Sequence, residues 1–397
     1  MNERIINGCF KFNENVYAID DNSLHYRKSS EEEVKSLDYY NAFTGIYNHP
    51  VNGENVFKFN YGPSTGGIIE TLDFQIYTYG ERILSLDVIP EYKKRILKVS
   101  GEHINMGLLK LERFNGFHSF SYSTLYSAAV ERKMGIPIEE DSRNQRIILL
   151  EVERIISHIF KTARLCEAAS QNIATYALLG LREKLMRTLA EKAGHRYLFG
   201  INKIGGIGRK LDMDGLVKVV RDIVDQYRKI KEGLFVSRIF IDRIENTCIA
   251  NFGFSRGPTL RSTGKKYDYR MIDPYYSDLD FEPVVSSGGD SLTRFLVFSQ
   301  EVDQSMEIIE QCIDRKVSGE WIEPASNKEV FGIETPSGDA RMAMEIEGEK
   351  IGFLYLRTPS VLNMEAFARG IRGNVKTDIP FALESFGIWV SEMSDVI

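Results

Sequence analysis

A long run of helical periodicity is the feature that most constrains the fold of this chain. Between residues 119 and 193, apolar residues recur about every 3.6 positions with charged residues between them, which predicts long amphipathic helices. The same spacing returns over residues 213–234. It returns again from Asp290, a residue type that caps helix N-termini, to about residue 313. The main body of the chain is therefore predicted to be a bundle of helices.

Shorter segments with strand character lie near both ends of the chain. Residues 55–79 are rich in β-branched and aromatic residues around the turn pair Gly62-Pro63, which predicts a hairpin or small sheet. Residues 341–357 alternate apolar and polar side chains about a turn at Glu347-Gly348, and a short helix is predicted at 364–369. The predicted fold class is α+β, with a central helical bundle and small β-sheets near both chain ends.

Length, charge and hydropathy exclude several classes of protein. The 397 residues are 43% hydrophobic, enough to bury a substantial core, which excludes a disordered chain or a small disulfide-stapled domain. The net charge of −6 and the absence of a polybasic segment argue against a nucleic-acid partner. No apolar run approaches the roughly 20 residues that cross a bilayer. The first ten residues also lack the apolar core of a signal peptide. We therefore expect a soluble chain without a transmembrane segment.

Local motifs for metal or nucleotide chemistry are weak. The four cysteines include no C-x-x-C pair, so no local zinc or iron–sulfur motif can be written. The glycine-rich run 200–208 lacks the lysine and serine of a phosphate loop, and a connection between helices is the favoured interpretation. Five further side chains could bind a metal only if the fold brought them together. Separate positions in the core or at the surface are the favoured interpretation for His118, His158, His195, Glu151 and Glu153.

A segment rich in arginine and tyrosine, residues 257–276, has two equally supported interpretations. Arg261 and Arg270 could present fixed donors to a ligand on the polar wall of a cavity. Alternatively, the same arginines could form a buried salt-bridge network with Asp268 and Asp273 that holds the loop. Composition alone leaves both interpretations open.

This segment also carries a family resemblance. Gly257-Pro-Thr-Leu-Arg-Ser-Thr-Gly264, followed by Tyr267-Asp-Tyr-Arg270, resembles the G-P-x-L-R-A-S-G and Y-D-x-R motifs of the 49-kilodalton subunit of respiratory complex I. That family is related to the large subunit of membrane-bound energy-converting nickel–iron hydrogenases. Ordered matches extend over residues 62–363. The resemblance implies a nickel–iron-hydrogenase large-subunit-like fold for residues 55–397, preceded by an N-terminal extension over residues 1–54.

The departures from this family concern the metal ligands. The related hydrogenases hold nickel and iron through cysteines in R-x-C-G-x-C and D-P-C-x-x-C motifs. The corresponding segments here read Arg113-Phe-Asn-Gly-Phe-His118 and Gly387-Ile-Trp-Val-Ser-Glu392. All four thiol positions are thus replaced, by Asn115, His118, Trp389 and Glu392. Because a nickel–iron site needs soft thiolate ligands, we expect neither this metal site nor hydrogen turnover.

The resemblance also implies a cavity for an electron acceptor. In complex I the corresponding cavity receives a quinone headgroup between a histidine of G-P-x-H-P and a tyrosine upstream of the first cysteine motif. Here the histidine position corresponds to Thr65, and the tyrosine position falls near Met106, with Tyr92 and Tyr122 as imperfectly aligned substitutes. Thr65 can donate a hydrogen bond to a quinone carbonyl, but it cannot supply a proton near neutral pH as an imidazolium does. The residues expected to wall the acceptor cavity are Thr65, Met106, Asn115, His118, Trp389 and Glu392.

The implied function is that of an oxidoreductase subunit. The chain would dock a small iron–sulfur subunit that carries a [4Fe–4S] cluster, with Arg113 and Arg143 near that partner. It would bind no cofactor of its own, although its cavity could receive a quinone. The assembly would include other complex-I-like peripheral and membrane subunits, take electrons from NADH, ferredoxin or a similar donor, and lie on the cytoplasmic side of the cell membrane.

Two other functions are compatible with the same residues. The chain could be a catalytically silent scaffold whose old cavity is filled by Phe114, Phe117 and Trp389, since filled cavities favour stability. It could also be an independent soluble enzyme with a new metal at His118 and Glu392, although two ligands rarely hold a metal.

Overall fold

The computed structural model describes residues 6–12, 15–20, 24–27, 45–46, 51, 53–63, 72–90, 95–250, 253–315, 319–322 and 330–396. Its helices are α1 (Ile104–Leu111), α2 (Ser119–Met134), α3 (Glu140–Ala168), α4 (Asn172–Lys192), α5 (Met213–Val236), α6 (Arg238–Ile244), α7 (Gly257–Arg261), α8 (Ser291–Asp314), α9 (Pro359–Gly370) and α10 (Ile379–Phe386). Its strands are β1 (Ile6–Phe12), β2 (Asn15–Asp20), β3 (Leu24–Arg27), β4 (Val56–Tyr61), β5 (Asp73–Tyr79), β6 (Arg82–Ile89), β7 (Ile96–Leu97), β8 (Ile138–Glu139), β9 (Asn202–Lys203), β10 (Gly206–Ile207), β11 (Glu320–Trp321), β12 (Val330–Thr335), β13 (Gly338–Glu347), β14 (Lys350–Arg357) and β15 (Asp395–Val396).

Helix α3 is the centre of the molecule. It is 29 residues long, about 44 Å, and it is buried on almost every side by α4, α8 and α10. The negative side chains of Glu140 and Asp141 lie in its first turn, where they interact favourably with the positive end of the helix dipole and stabilise the helix. The periodicity over residues 119–193 is confirmed as α2, α3 and α4. The helix predicted after Asp290 is α8, whose N-terminus is capped by the Asp290 carboxylate accepting from the Thr293 backbone N–H at 2.8 Å.

Two three-stranded antiparallel sheets flank the bundle. The predicted pairing over residues 55–79 is confirmed as β4 with β5, and β6 adds a third strand that the sequence did not predict. The second sheet pairs β12 with β13 and β13 with β14, around the predicted turn at Gly348, whose φ is +63°. The predicted helix at 364–369 is part of α9 and begins earlier, at Pro359, because proline suits the first turn of a helix.

The remaining strands are short. A further antiparallel sheet joins β1, β2 and β3, and two-stranded pairs join β7 with β15, β8 with β11, and β9 with β10. The last of these pairs lies inside the glycine-rich run 200–208, so that run is a connection between α4 and α5, as predicted. The segment 64–71, with Thr65, lies outside the described residues. Among the helices that the structure does describe, none has the length and apolar character needed to span a bilayer.

The C-terminal segment brings distant residues onto the bundle. It follows α10 through Gly387, which has a φ of +63° and lies so close to α3 that a Cβ atom there would meet Lys161 Cε at 2.6 Å. The positive φ favours glycine at this position, and any larger residue would also have to displace the end of the Lys161 side chain. Beyond it, residues 388–393 run past the N-terminus of α2, the helix that begins directly after His118.

Candidate functional site

Four residues that replace the expected thiolates converge in one buried cluster. Asn115 and His118 precede α2, while Trp389 and Glu392 come from the C-terminal segment. Glu392 Oε1 lies 2.7 Å from His118 Nδ1 and accepts a hydrogen bond from Asn115 Nδ2 at 2.8 Å. Each of the four residues is at least 96% buried. The cluster therefore depends on contacts between residues about 270 positions apart, which local sequence patterns do not reveal.

The cluster is hydrogen-bonded around an imidazole and a carboxylate. Glu392 Oε2 accepts from Ser360 Oγ at 2.5 Å, and His118 Nε2 lies 3.3 Å from Ser157 Oγ. Burial lowers the pKa of His118, although Glu392 opposes this shift. Burial alone would raise the pKa of Glu392, but its contacts with His118, Ser360 and Asn115 bring that pKa below its usual value. A neutral His118 that donates from Nδ1 to an ionised Glu392 satisfies both groups near neutral pH.

Aromatic rings close one side of the cluster. The Trp389 ring stacks on Phe117 with centroids 4.0 Å apart and lies parallel to Phe160 at 6.1 Å. The Trp389 and His118 rings are nearly perpendicular, with centroids 5.8 Å apart, in a T-shaped contact. Phe114 packs instead against Tyr122, with ring centroids 5.2 Å apart. Phe117 and Trp389 thus fill space together, whereas Phe114 belongs to a separate aromatic pair.

The residues at these positions do not fit a nickel–iron group. Asn115 and Trp389 supply no thiolate. His118 Nδ1 and Glu392 Oε1 are already engaged in a hydrogen bond with each other. The described cysteines Cys166, Cys248 and Cys312 are buried elsewhere, and burial raises the pKa of each to about 12. Within the described parts of the chain, no three side chains of histidine, cysteine, aspartate or glutamate form a metal-binding group.

Three expected site residues need separate comment. Thr65 lies outside the described residues. Met106 is not brought into the cluster, because its side chain is 43% exposed on α1. Arg143 is not free to meet a partner, since its buried guanidinium donates to the carbonyls of Pro274 and Tyr275 at 3.0 and 2.9 Å. The structure therefore assigns Arg143 to holding the loop after α7.

Arg113 lies at the surface beside the cluster. Its guanidinium is half exposed, pairs with Glu112 and stacks over the Phe199 ring at 5.0 Å. The Glu112 carboxylate also accepts from the Gly200 backbone N–H at 2.8 Å, which ties the connection after α4 to the end of α1. Arg113 and the connection carrying His195 and Phe199 thus lie together, with the half-exposed guanidinium over an aromatic ring.

The arginine-rich segment forms a buried salt-bridge network. Arg261 lies 2.6 Å from Glu301 and 2.9 Å from Glu334, and Arg270 pairs with Asp268 at 2.8 Å. Further members are Glu151, which accepts from Arg270, and His158, whose Nε2 lies 2.8 Å from Glu301. Asp273 caps the turn that follows by accepting from the Tyr275 N–H. The structural interpretation of residues 257–276 is therefore confirmed for Asp268, and the ligand-binding wall is not needed to explain these arginines.

Sequence reasoning missed Lys161 and the importance of Glu153. Lys161 is buried on α3, and its Nζ donates to the Pro336 carbonyl at 2.6 Å. Burial lowers the pKa of Lys161 to about 7. Glu153 accepts from the Phe120 N–H at 2.6 Å at the start of α2, and burial raises its pKa to about 7. The available signal was spacing, because Lys161 follows His158 by three positions and lies on the same helix face.

Comparison with known proteins gives consistent results. A sequence profile described as the respiratory-chain NADH dehydrogenase 49-kilodalton subunit matches residues 171–329. A similar protein is an NADH-quinone oxidoreductase subunit of Syntrophobacter fumaroxidans, which is 27% identical over 366 residues, covering 86% of this chain and 97% of that protein. The corresponding NADH-quinone oxidoreductase subunit of Anaeromyxobacter dehalogenans is 30% identical over 277 residues, covering 66% of this chain and 64% of that protein.

A solved structure shows the same fold. One chain of the membrane-bound sulfane sulfur reductase, an archaeal respiratory membrane complex, matches with a TM-score of 0.77 at 23% identity. The match covers 87% of this chain and 100% of that chain. The resemblance drawn from the motifs and the predicted α+β fold are both confirmed by these comparisons.

Proposed function

We propose that this chain is the subunit of a membrane-associated respiratory oxidoreductase that corresponds to the 49-kilodalton subunit of respiratory-chain NADH dehydrogenase, whose sequence profile matches residues 171–329. In this proposal the chain docks a small subunit that carries a [4Fe–4S] cluster. It also forms part of the wall of the site where electrons reach their acceptor. The chain itself holds no nickel–iron group, and other subunits bind the donor, which is NADH, ferredoxin or a similar reductant.

The convergence of Asn115, His118, Trp389 and Glu392 is the observation that carries the proposal. The motif resemblance assigns these positions to metal ligands, and the fold brings the residues within hydrogen-bonding or ring-contact distance of one another. This convergence supports a site whose position is kept while its ligand chemistry is changed. Arg113 and its aromatic neighbour Phe199 lie next to this cluster and offer a surface for the iron–sulfur partner.

A quinone is the acceptor class that we propose first, because the relatives in the comparison are named NADH-quinone oxidoreductases. Sulfane sulfur is the second candidate, favoured by the structural match to a sulfane sulfur reductase that covers 100% of that chain. The complex would lie at the cytoplasmic face of the membrane, with this chain as a peripheral subunit.

The alternative is a silent scaffold within such a complex. The stacking of Trp389 on Phe117 at 4.0 Å favours this alternative, because the two rings occupy space beside the former ligand positions. A metal enzyme based on His118 and Glu392 is not favoured, because the two side chains form a hydrogen bond with each other through atoms that a metal would need as ligands.

Co-purification tests the proposed function. The tagged full-length chain would be isolated from its native host in mild detergent, and bound proteins and iron would be measured. We expect an iron–sulfur subunit to accompany the chain. We expect Arg113→Glu to lose that subunit while Arg221→Glu retains it. Arg221 is a matched control because both side chains are 52% exposed and paired with a glutamate. A chain that purifies without any iron–sulfur protein would contradict the proposal.

Turnover of the purified complex separates the cavity function from the scaffold. A His118→Gln substitution keeps a polar side chain but removes the imidazole beside Glu392. If the cluster walls the acceptor site, quinone or tetrasulfide reduction should fall at least tenfold while the subunit composition stays unchanged. Unchanged turnover in an intact complex would favour the scaffold.

A further inference from the structure

A small, partly open cavity is lined by Trp389 but by neither His118 nor Glu392. It has a volume of about 30 Å³ and is bordered by α3, α10 and the C-terminal segment. Its apolar lining includes Leu72, Leu383 and the ring of Phe160, and Lys161 and Trp389 also line it. A cavity needs about 10–15 Å³ of such volume to hold one water molecule, so this cavity has room for about two waters or for the terminal atoms of a larger molecule. We call it the Lys161 cavity.

The lysine that lines this cavity is incompletely bonded. The side chain of Lys161 is buried, and its ammonium carries three N–H donors, of which one is used by the Pro336 carbonyl at 2.6 Å. Within the described part of the chain, no carboxylate forms an ion pair with it. Glu301 and Glu392 act on it only through space. A buried charge without a partner is costly, so the position favours a ligand that accepts hydrogen bonds.

A second buried N–H donor also lacks a hydrogen-bond acceptor within the described part of the chain. The indole Nε1 of Trp389 is buried and has no hydrogen-bond partner among the described residues. Most buried polar groups in folded proteins are hydrogen-bonded to protein or to water. The Trp389 ring lines the cavity, but its N–H is enclosed by protein, so the Lys161 ammonium is the donor that the cavity offers to a bound atom.

The other charged groups of the cavity balance each other. Arg164 lines it together with Glu384, and the Arg164 Nη2 atom lies 3.1 Å from the Glu384 carboxylate. Arg164 also pairs with Glu167. The remaining imbalance in the cavity is therefore the positive charge of Lys161. An atom that accepts hydrogen bonds and carries negative charge fits this environment better than a cation or a donor.

We propose that the Lys161 cavity binds the terminal oxygen or sulfur atom of the electron acceptor, held by the Lys161 ammonium beside the Trp389 ring. This inference rests on the proposed function for the existence of an acceptor, and it adds where the reactive end of that acceptor lies. An oxygen terminus corresponds to a quinone, and a sulfur terminus corresponds to a sulfane-sulfur chain. Both present a lone-pair acceptor that becomes more negative on reduction.

The protonation behaviour of Lys161 is compatible with such a ligand. Burial lowers its pKa to about 7, while the charges of Glu301 and Glu392 oppose that shift. Near neutral pH the side chain therefore exists in both charged and neutral forms. A negatively charged atom in the cavity stabilises the ammonium form through Coulomb attraction.

Tryptophan fluorescence of the full-length chain provides the test. The sequence has two tryptophans, so a Trp321→Phe variant reports on Trp389 alone. Anaerobic titrations with sodium tetrasulfide and with 1,4-naphthoquinone would be made in this background. We expect saturable quenching by at least one probe, and Lys161→Met should weaken its apparent affinity at least tenfold. Lys184→Met, which changes an exposed lysine paired with Asp222, should leave the affinity within twofold.

The two probes distinguish the two sources of the bound atom. Lys161-dependent quenching by tetrasulfide alone assigns a sulfur terminus, and quenching by naphthoquinone alone assigns an oxygen terminus. Equal affinities in the Lys161→Met and Lys184→Met variants would overturn the proposal, as would the absence of saturable quenching by both probes. In that outcome the cavity holds water only.

A second variant covers the case in which Lys161→Met does not fold. Lys161→Gln keeps a polar side chain but removes the positive charge, and probe binding would be followed by the same fluorescence titration, with an expected weakening of at least threefold. Unchanged affinity in this variant would overturn the ammonium as the group that holds the bound atom. The binding assay does not require the iron–sulfur partner. A chain that recruits that partner but binds probes independently of Lys161 would refute this inference alone, whereas the reverse result would refute the proposed function alone.

Discussion

Two buried polar regions of the molecule differ in how completely their charges are paired. In the network after α7, Arg261 contacts both Glu301 and Glu334, and Arg270 contacts Asp268. In the Lys161 cavity, the ammonium has one carbonyl partner and no ion pair with a described carboxylate. Paired charges of the first kind hold loops and helices in place. The unpaired donor of the second kind identifies the region where a further molecule fits.

The strongest way to break this comparison is to remove a carboxylate from the paired network. Glu301→Gln leaves Arg261 and His158 without their shared charged partner in a fully buried site. Removing one member of a buried ion pair typically costs about 3–5 kcal/mol, so we expect the free energy of unfolding in urea to fall by that amount. Asp303→Asn on the same helix is the control, because Asp303 is 25% exposed and pairs with surface cations. Similar losses for the two variants would show that the network is no more important than a surface pair.

Removing the unpaired lysine is expected to raise the free energy of unfolding rather than lower it. Lys161→Met replaces a buried charge, whose desolvation is costly, by an apolar side chain of similar length, so we expect the free energy of unfolding to stay unchanged or to rise. The pKa of Lys161 is about 7 in the folded chain against 10.5 for an ordinary lysine. The unfolded chain therefore binds more protons between these pH values, so the lysine destabilises the fold fully below pH 7 and progressively less as the pH rises towards 10.5.

Urea unfolding at several pH values measures this effect. The advantage of Lys161→Met over the unmodified chain should be largest near pH 6 and should shrink as the pH rises above 7. Lys184→Met serves as the surface control and should show no such trend. Destabilisation by Lys161→Met at every pH would mean that the lysine is paired in a way that the described contacts do not include.

A smaller loss is expected at the imidazole–carboxylate pair. Glu392→Gln keeps the shape of the side chain but removes the charge that accepts from His118, Asn115 and Ser360, so we expect a loss of about 1–3 kcal/mol. The folded-state pKa of Glu392 is lowered, so its contribution is present above the ordinary glutamate pKa and is lost as the pH falls through the folded value. Calorimetric unfolding between pH 7 and pH 3 should show the two chains converging in acid. A constant difference down to pH 3 would contradict the assigned charge state.

The smallest expected change in the free energy of unfolding is at Trp389, where the substitution removes a donor without an acceptor in the described parts of the chain. Trp389→Phe retains stacking on Phe117 and removes an indole N–H that has no partner among the described residues. We therefore expect a change within about 1 kcal/mol in the free energy of unfolding, since no internal hydrogen bond is lost. A markedly larger loss would indicate that the N–H is bonded within the protein. Phe160→Leu, which removes the parallel ring on α3, is the matched test of the aromatic contribution.

The sequence predicted those parts of the fold that depend on local spacing. Periodicity identified α2, α3 and α4, and residue type identified Asp290 as the cap of α8. It did not predict strand β6, because pairing with β5 depends on tertiary packing as much as on composition. The start of α9 was also missed by five residues, since Pro359 resembles a helix breaker until its position in the first turn is known.

The candidate site was predictable through motif alignment rather than through spacing. Alignment placed Asn115, His118, Trp389 and Glu392, which the fold brings together, but it also placed Met106, which lies exposed on α1. Whether the cavity is filled depends on the contact of Phe117 with Trp389 across 272 positions of sequence, and no local pattern encodes that contact. Lys161 was overlooked because a lysine in a helix is usually exposed.

Helix α3 links the two regions in a way that restricts how the chain can change. Glu151, Arg154, His158 and Lys161 succeed one another at three- and four-residue intervals, so a single face of one helix serves both the network and the cavity. Inserting one residue upstream of Glu151 would rotate all of these side chains by about 100° relative to α8 and to the C-terminal segment. Loops of this protein can lengthen during evolution, but α3 tolerates substitution without tolerating a change of length, and any new chemistry at one end must be compatible with the register fixed at the other.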